Sequence, residues 1–140
     1  MAATATARQR AKEDAPDGAA DSAFVKDCPT GQLLARVSDK WVNLVVNALG
    51  EQSPMRYSDL GRKIPGVSQK MLTQTLRSLE RDGIVTRTVT PSVPVRVDYE
   101  LTGLGHSLCC LLAAVKNWAS SHVDEVEGAR ERFDTAHEGL

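Results

Sequence analysis

A mainly α fold carrying one β-hairpin, α+β in class, is what the sequence predicts for these 140 residues, and three observations predict it. Apolar residues recur at three- and four-residue spacing in several separate windows, as in helices that bury one face. Two short runs rich in β-branched residues, 84–90 (IVTRTVT) and 95–101 (VRVDYEL), roughly alternate and flank Pro91-Ser92-Val93-Pro94, the pattern of a hairpin. A last helical pattern, from Leu104 to about Val126, is longer and more apolar than the rest.

In chain order, residues 1–25 have little apolar periodicity and are expected to form a mobile arm, whose Arg8, Arg10 and Lys12 are either solvated or brush a phosphate backbone. Cys28-Pro29 opens the ordered part. Residues 31–37 (GQLLARV) predict a short helix with Leu33, Leu34 and Val37 inward. Asp39 or Ser38 then caps a core helix over 40–49, its Trp41, Leu44, Val45, Ala48 and Leu49 at helical spacing and Gly50 as its stop. Thr102 reads as the N-cap of the long final helix, and residues 128–140 are charged and expected to fray. One domain over 26–127 is expected between arm and tail.

The stretch 65–82 (PGVSQKMLTQTLRSLERD) organises what precedes and follows it. The Ser68 hydroxyl is suited to accept one of the backbone N–H groups left free in a first turn, so a helix starts near Gln69, and Gly83 ends it. Met71, Leu72, Thr75, Leu76 and Leu79 make one apolar stripe facing a core. The other face carries Gln69, Lys70, Thr73, Gln74 and Arg77, the amides, hydroxyl and cations that bind base edges and phosphates. Most polar helix faces are merely solvated, but here the surroundings favour a reader. A second short helical pattern, 55–64 (MRYSDLGRKI), whose Tyr57, Leu60 and Ile64 share a face, precedes it across Pro65-Gly66-Val67. Two helices joined by a tight Gly-containing turn form a helix-turn-helix, and the hairpin that follows is its wing.

The final helix has more apolar surface than a small domain covers: Leu104, Leu108, Leu111, Leu112, Val115 and Trp118 form a broad stripe. The simplest cover is the same helix of a second subunit. The resulting two-fold dimer would present two recognition helices to successive major grooves of a palindromic site. The alternative is that the helix folds back on its own domain.

Charge neither excludes nor requires nucleic acid. The whole chain has a formal net charge of -1, but residues 28–102 hold 10 Lys+Arg against 7 Asp+Glu, while both ends are acidic. No run of about twenty apolar residues exists and the first residues lack a signal-peptide core, so a soluble, cytoplasmic protein is expected, with no membrane partner. Cys28, Cys109 and Cys110 are odd in number and suit a reducing compartment. With His106, His122 and His137 they reproduce no metal-ligand spacing, so no metal and no cofactor are expected. Catalysis is not expected either, since three scattered histidines supply no nucleophile, base and oxyanion set.

Lys40-Trp41, the run Arg56-Tyr57-Ser58-Asp59-Leu60, the motif IPGVSQKMLTQTLRSLERDG ending at Gly83, and PVRVDYELT ending at Thr102 together resemble the HxlR-type family of bacterial transcription regulators, in the MarR-like group. The resemblance covers about residues 26–120 and implies a dimeric winged helix protein that binds palindromic operator DNA. It also implies that Cys28 aligns with an N-terminal cysteine that some members use to sense oxidants or electrophiles. The other role open to Cys28 is semi-buried packing. The arm is longer than the family pattern and the 42–46 segment has its own apolar wording. Within this reading Gln74 reads adenine and Arg77 guanine or a phosphate, while Ser68 and Gln69 bring the helix N-terminus to a phosphate. Arg56 touches the backbone, and Arg87 and Arg96 reach the minor groove or its phosphates. Arg96 has a rival partner in Asp98 or Glu100. Two further alternatives remain: a regulator responding to a small aromatic molecule between Trp41 and Trp118, without cysteine sensing, and a winged helix that binds protein instead of DNA.

Overall fold

A computed structural model describes residues 28–138, so the 1–25 arm and its three basic residues lie outside the described part. The order is α1 (Pro29–Val37), α2 (Lys40–Glu51), β1 (Met55–Arg56), α3 (Tyr57–Lys63), α4 (Gln69–Arg81), β2 (Val85–Thr90), β3 (Arg96–Leu101) and α5 (Gly103–Ala136). Two compact units are distinguished, Met1–Val42 and Asn43–Leu140.

In the first unit, Asp39 caps α2 as expected, its carboxylate accepting from the Trp41 and Val42 backbone N–H groups at 2.8 and 3.1 Å. Leu33 and Leu34, expected inward, are half exposed. A nine-residue helix has one narrow apolar side, and these two leucines find no cover among the described residues.

The second unit is built on α2, α3, α4 and a three-stranded antiparallel sheet of order β1-β3-β2. Val45, Val46, Leu49, Leu60, Leu72, Leu76 and Leu79 are wholly or almost wholly buried, each contributing roughly 1.5–3 kcal/mol by leaving water. The periodicity of α4 is therefore confirmed, with Thr75 also buried; Met71, at the edge of the stripe, stays partly exposed. The hairpin is in place, Val85 pairing with Leu101 and Thr90 with Arg96.

Three local expectations need correction. Met55 and Arg56 are a strand, not the first turn of a helix, because they pair with Tyr99 and Asp98 on β3. Gly50 does not end α2, which runs on to Glu51; its missing side chain instead lets the Cys109 sulfur of α5 pack where a Cβ would stand. α5 continues to Ala136, so residues 128–136, expected to fray, are helical.

The joint between α4, wing and α5 is made by one short segment. Gly83 adopts φ 74°, the left-handed conformation that suits a glycine after a helix. The Ile84 N–H then donates to the Leu79 carbonyl at 2.9 Å, and the Thr102 N–H donates to the Ile84 carbonyl at 3.0 Å. Thr102 caps α5 as predicted, its hydroxyl accepting from the Gly105 N–H at 3.0 Å while lying 2.6 Å from the Gly83 carbonyl.

Candidate nucleic-acid interface

The recognition helix begins where the sequence places it. Ser68 accepts from the Met71 N–H at 3.0 Å, a cap worth about 1 kcal/mol, and so fixes which residues of α4 turn outward. Leu72, Thr75, Leu76 and Leu79 face inward, and the same rotation leaves Gln69, Lys70, Thr73, Gln74 and Arg77 exposed on the opposite side. Pro65-Gly66 makes the tight turn between α3 and α4, Gly66 at φ 77°, a conformation that only glycine adopts without strain.

Arg56 is the N-cap residue of α3, and strand pairing sets it opposite Asp98 on β3. With Tyr57 and Ser58 it lines a groove of about 830 Å³, closed on its other side by the wing residues Arg87 and Arg96. Three of the predicted phosphate contacts are thus brought together by the sheet. Ser68 and Gln69 line a separate recess of about 230 Å³ with Tyr57 and Ser58, at the start of the recognition helix.

Arg96 is not free in this state. Its Nε donates to Asp98 at 2.9 Å, the ion pair weighed against a DNA role, because residues two apart on a strand share a face. Arg87 stands across the ladder from Tyr99; burial raises the Tyr99 hydroxyl's pKa, with the facing Arg87 guanidinium opposing that rise. The wing tip beyond them, 91–95, carries no charge at all, and Val93 is fully exposed.

Tyr57 is the residue whose part in the site sequence reading missed. Its ring is only half buried, and its hydroxyl reaches across to α4, 3.1 Å from the Gln69 carbonyl and 2.8 Å from the Thr73 hydroxyl. A tyrosine at the first position of the helix before the turn was the available signal; its apolar spacing with Leu60 and Ile64 concealed it.

Cys28 is the N-cap residue of α1 and half buried. The Cys28 side chain makes no capping hydrogen bond, but the adjacent Gly31 and Thr30 backbone N–H groups lower its thiol pKa, the usual effect of free N–H groups at a helix start on a nearby thiolate. Burial acts the other way on Cys109 and raises its pKa.

On α5 the predicted dimer stripe divides in two. Leu108 and Leu112 are 9% and 7% exposed and belong to their own chain's interior, correcting their assignment to a subunit interface. Leu104, Leu111, Val115 and Trp118 are 57–59% exposed and line up on an adjacent side. At about 100° per residue His122 extends that side, its ring stacked on Trp118 with centroids 4.7 Å apart. Trp41, in the first unit, is half buried with the Lys40 ammonium 5.0 Å from its ring centre. Among the described residues no helix is long and apolar enough to cross a membrane.

Comparison with known proteins decides the family. The model of the HxlR-like helix-turn-helix matches residues 36–127, spanning α2 to most of α5. The chain belongs to the HxlR-like family. YtfH of Escherichia coli (strain K12), an uncharacterized HTH-type transcriptional regulator, is 42% identical over 108 residues, 77% of this chain and 85% of the relative. Among solved structures, the transcriptional regulator ytfH from Salmonella typhimurium is 40% identical with a TM-score of 0.69, covering 76% of this chain and 94% of that one. The redox regulator HypR in its reduced form is 34% identical with a TM-score of 0.64, covering 71% and 98%. This HxlR-like chain is accordingly a transcriptional regulator of the HxlR and MarR type, with a winged helix fold, as its motifs had indicated. The family match begins after Cys28 and stops short of the last turns of α5.

Proposed function

We propose that this HxlR-like regulator acts in the cytoplasm as a two-fold dimer that binds a palindromic operator in double-stranded DNA. The observation that carries the reading is the outward face of α4, where Lys70, Thr73, Gln74 and Arg77 stand exposed beside the N-cap Ser68. A helix so presented delivers base-reading side chains to a major groove. Arg56, Arg87 and Arg96 around the wing groove supply flanking backbone contacts. Half the pairing surface of the dimer is the exposed side of α5, Leu104, Leu111, Val115 and Trp118, for which the described residues offer no cover.

The test is binding of the purified chain to its operator and to random duplex over a salt series. Arg77→Ala lowers operator affinity and relaxes one base preference, while Lys70→Ala weakens both duplexes alike and reduces the logarithmic salt slope by about 1. Unchanged affinity of both variants for both duplexes removes α4 from the interface. A monomer at working concentration removes the paired geometry.

A sensing role for Cys28 is favoured by its partly exposed place at the N-terminus of α1, where the adjacent backbone N–H groups lower its thiol pKa, and is supported by the likeness to a regulator named for redox control. Oxidation or alkylation of Cys28 then releases operator. If Cys28→Ser is released by an oxidant as readily as the wild type, the signal enters elsewhere.

A further inference from the structure

We propose that Tyr57 fixes the direction of the Thr73 hydroxyl, making Thr73 an acceptor-only reader that selects an amino base, adenine or cytosine, at the base pair it faces. The inference rests on the DNA-binding reading above and adds to it a residue outside the recognition helix that sets what the helix reads.

Each hydroxyl has one proton to donate, and a carbonyl has none. Tyr57 Oη lies 3.1 Å from the Gln69 carbonyl oxygen, a contact that only the phenolic proton can make. The shorter contact, 2.8 Å between Tyr57 Oη and Thr73 Oγ1, must then use the threonine proton, with Thr73 donating to the phenol oxygen. A threonine inside a helix ordinarily turns its hydroxyl to the carbonyl four residues back. For Thr73 that carbonyl is Gln69's, which Tyr57 occupies.

The result is a hydroxyl with its proton directed inward and lone pairs left for the exposed side of α4. In the major groove the donors are the adenine N6 and cytosine N4 amino groups; guanine O6 and N7 and thymine O4 only accept. A lone-pair-only Thr73 bonds to an amino group and is repelled by a keto oxygen. Tyr57 touches no base in this arrangement. It is a positioning residue, held by its half-buried ring at the start of α3.

The experiment uses the full chain and duplexes selected from a randomised library, followed by substitution of every base pair in the recovered half-site. Wild type is expected to show, at the pair facing Thr73, a preference of about 2- to 10-fold for an amino base over a keto base, the range of one neutral hydrogen bond. Tyr57→Phe keeps the ring and deletes only the phenolic oxygen, so that preference falls towards none while preferences at the pairs facing Gln74 and Arg77, random-duplex affinity and the salt slope stay as they were. Thr73→Val loses the same preference, Thr73→Ser keeps it, and Tyr57→Phe combined with Thr73→Val loses no more than either alone. A keto base at that pair, a Tyr57→Phe protein that discriminates as wild type does, or a loss spread over every pair of the half-site each overturns the proposal with DNA binding intact. Recovery of no duplex from the library overturns the DNA reading itself.

Discussion

Replacing Gly105 by alanine sets two effects of opposite sign against each other. On helix propensity alone Gly105→Ala, in the first turns of α5, stabilises by up to about 1 kcal/mol. Packing predicts the reverse. A Cβ at Gly105 would stand 3.0 Å from Leu101 Cδ2 and 3.2 Å from the Ile84 carbonyl carbon, and would overlap the Ile84 carbonyl oxygen. The leucine tip can rotate away. The carbonyl is held, because it accepts from the Thr102 N–H at 3.0 Å and lies 3.1 Å from the Thr102 hydroxyl. The start of α5 must therefore back off the joint that also ends the recognition helix. An overlap with a held backbone carbonyl belongs to the upper part of the range for overpacking, about 2–3 kcal/mol, so the net effect is a loss of about 1–2 kcal/mol after the propensity gain. At about 4 °C per kcal/mol for a chain of this size, Tm falls by roughly 4–8 °C. Gly128→Ala is the matched reference: the nearest atom to its Cβ is the Arg132 guanidinium Nη1 at 3.4 Å, the far end of a long side chain, so this variant gains up to about 1 kcal/mol. Both are measured by thermal and urea unfolding at one protein concentration, since association makes Tm concentration-dependent. A Gly105→Ala protein as stable as wild type, alongside the expected Gly128→Ala gain, refutes the packing of α5 on Ile84.

Ser68→Ala removes the acceptor of the Met71 N–H and lowers the urea midpoint by the equivalent of about 1 kcal/mol with an unchanged m-value, and Ser68→Asp restores it. Leu76→Ala empties a fully buried site at about 2.7–5 kcal/mol, enough to leave much of the chain unfolded at 37 °C as read by circular dichroism. Peptide-resolved alkylation across pH finds Cys28 with a midpoint below the ordinary thiol value of about 8.5 and Cys109 with one above it, following the N–H groups at the first and the burial of the second. The Cys28 thiolate therefore contributes stability that is present above the unfolded thiol's pKa and lost as pH falls through the folded one. A Cys28 midpoint at or above the ordinary value contradicts the influence of those N–H groups.

Local chemistry made much of this fold legible. Ser68, Asp39 and Thr102 each cap through a bond to a backbone N–H two or three residues ahead, and the inward and outward faces of α4 follow from a period that needs no tertiary knowledge. The misses lie where a distant partner decides. Met55 and Arg56 continue a helical pattern by themselves and become a strand only because β3 supplies Tyr99 and Asp98. Leu108 and Leu112 cannot be told from Leu111 by residue type; their side of α5 is chosen by the domain against which Gly105 packs. Charge at the end of α5 does not bring fraying, because Glu, Ala and Arg, which fill 127–132 apart from Gly128, are good helix formers. Spacing puts Tyr57 on one face with Leu60 and Ile64, which says where a ring sits and nothing about where its hydroxyl ends.

The nesting of Cys109 against Gly50 turns that thiol into a built-in reporter of the contact between α2 and α5. Its neighbour Cys110 is exposed and open to reagent in the intact protein, whereas the Cys109 sulfur occupies the space a side chain at position 50 would need. Cys109 is only partly exposed, its sulfur hemmed in by α2 where that of Cys110 is not. The difference in rate between the two adjacent thiols, read in one mass spectrum, therefore reports how closely α2 and α5 sit together at that point, with no label to introduce.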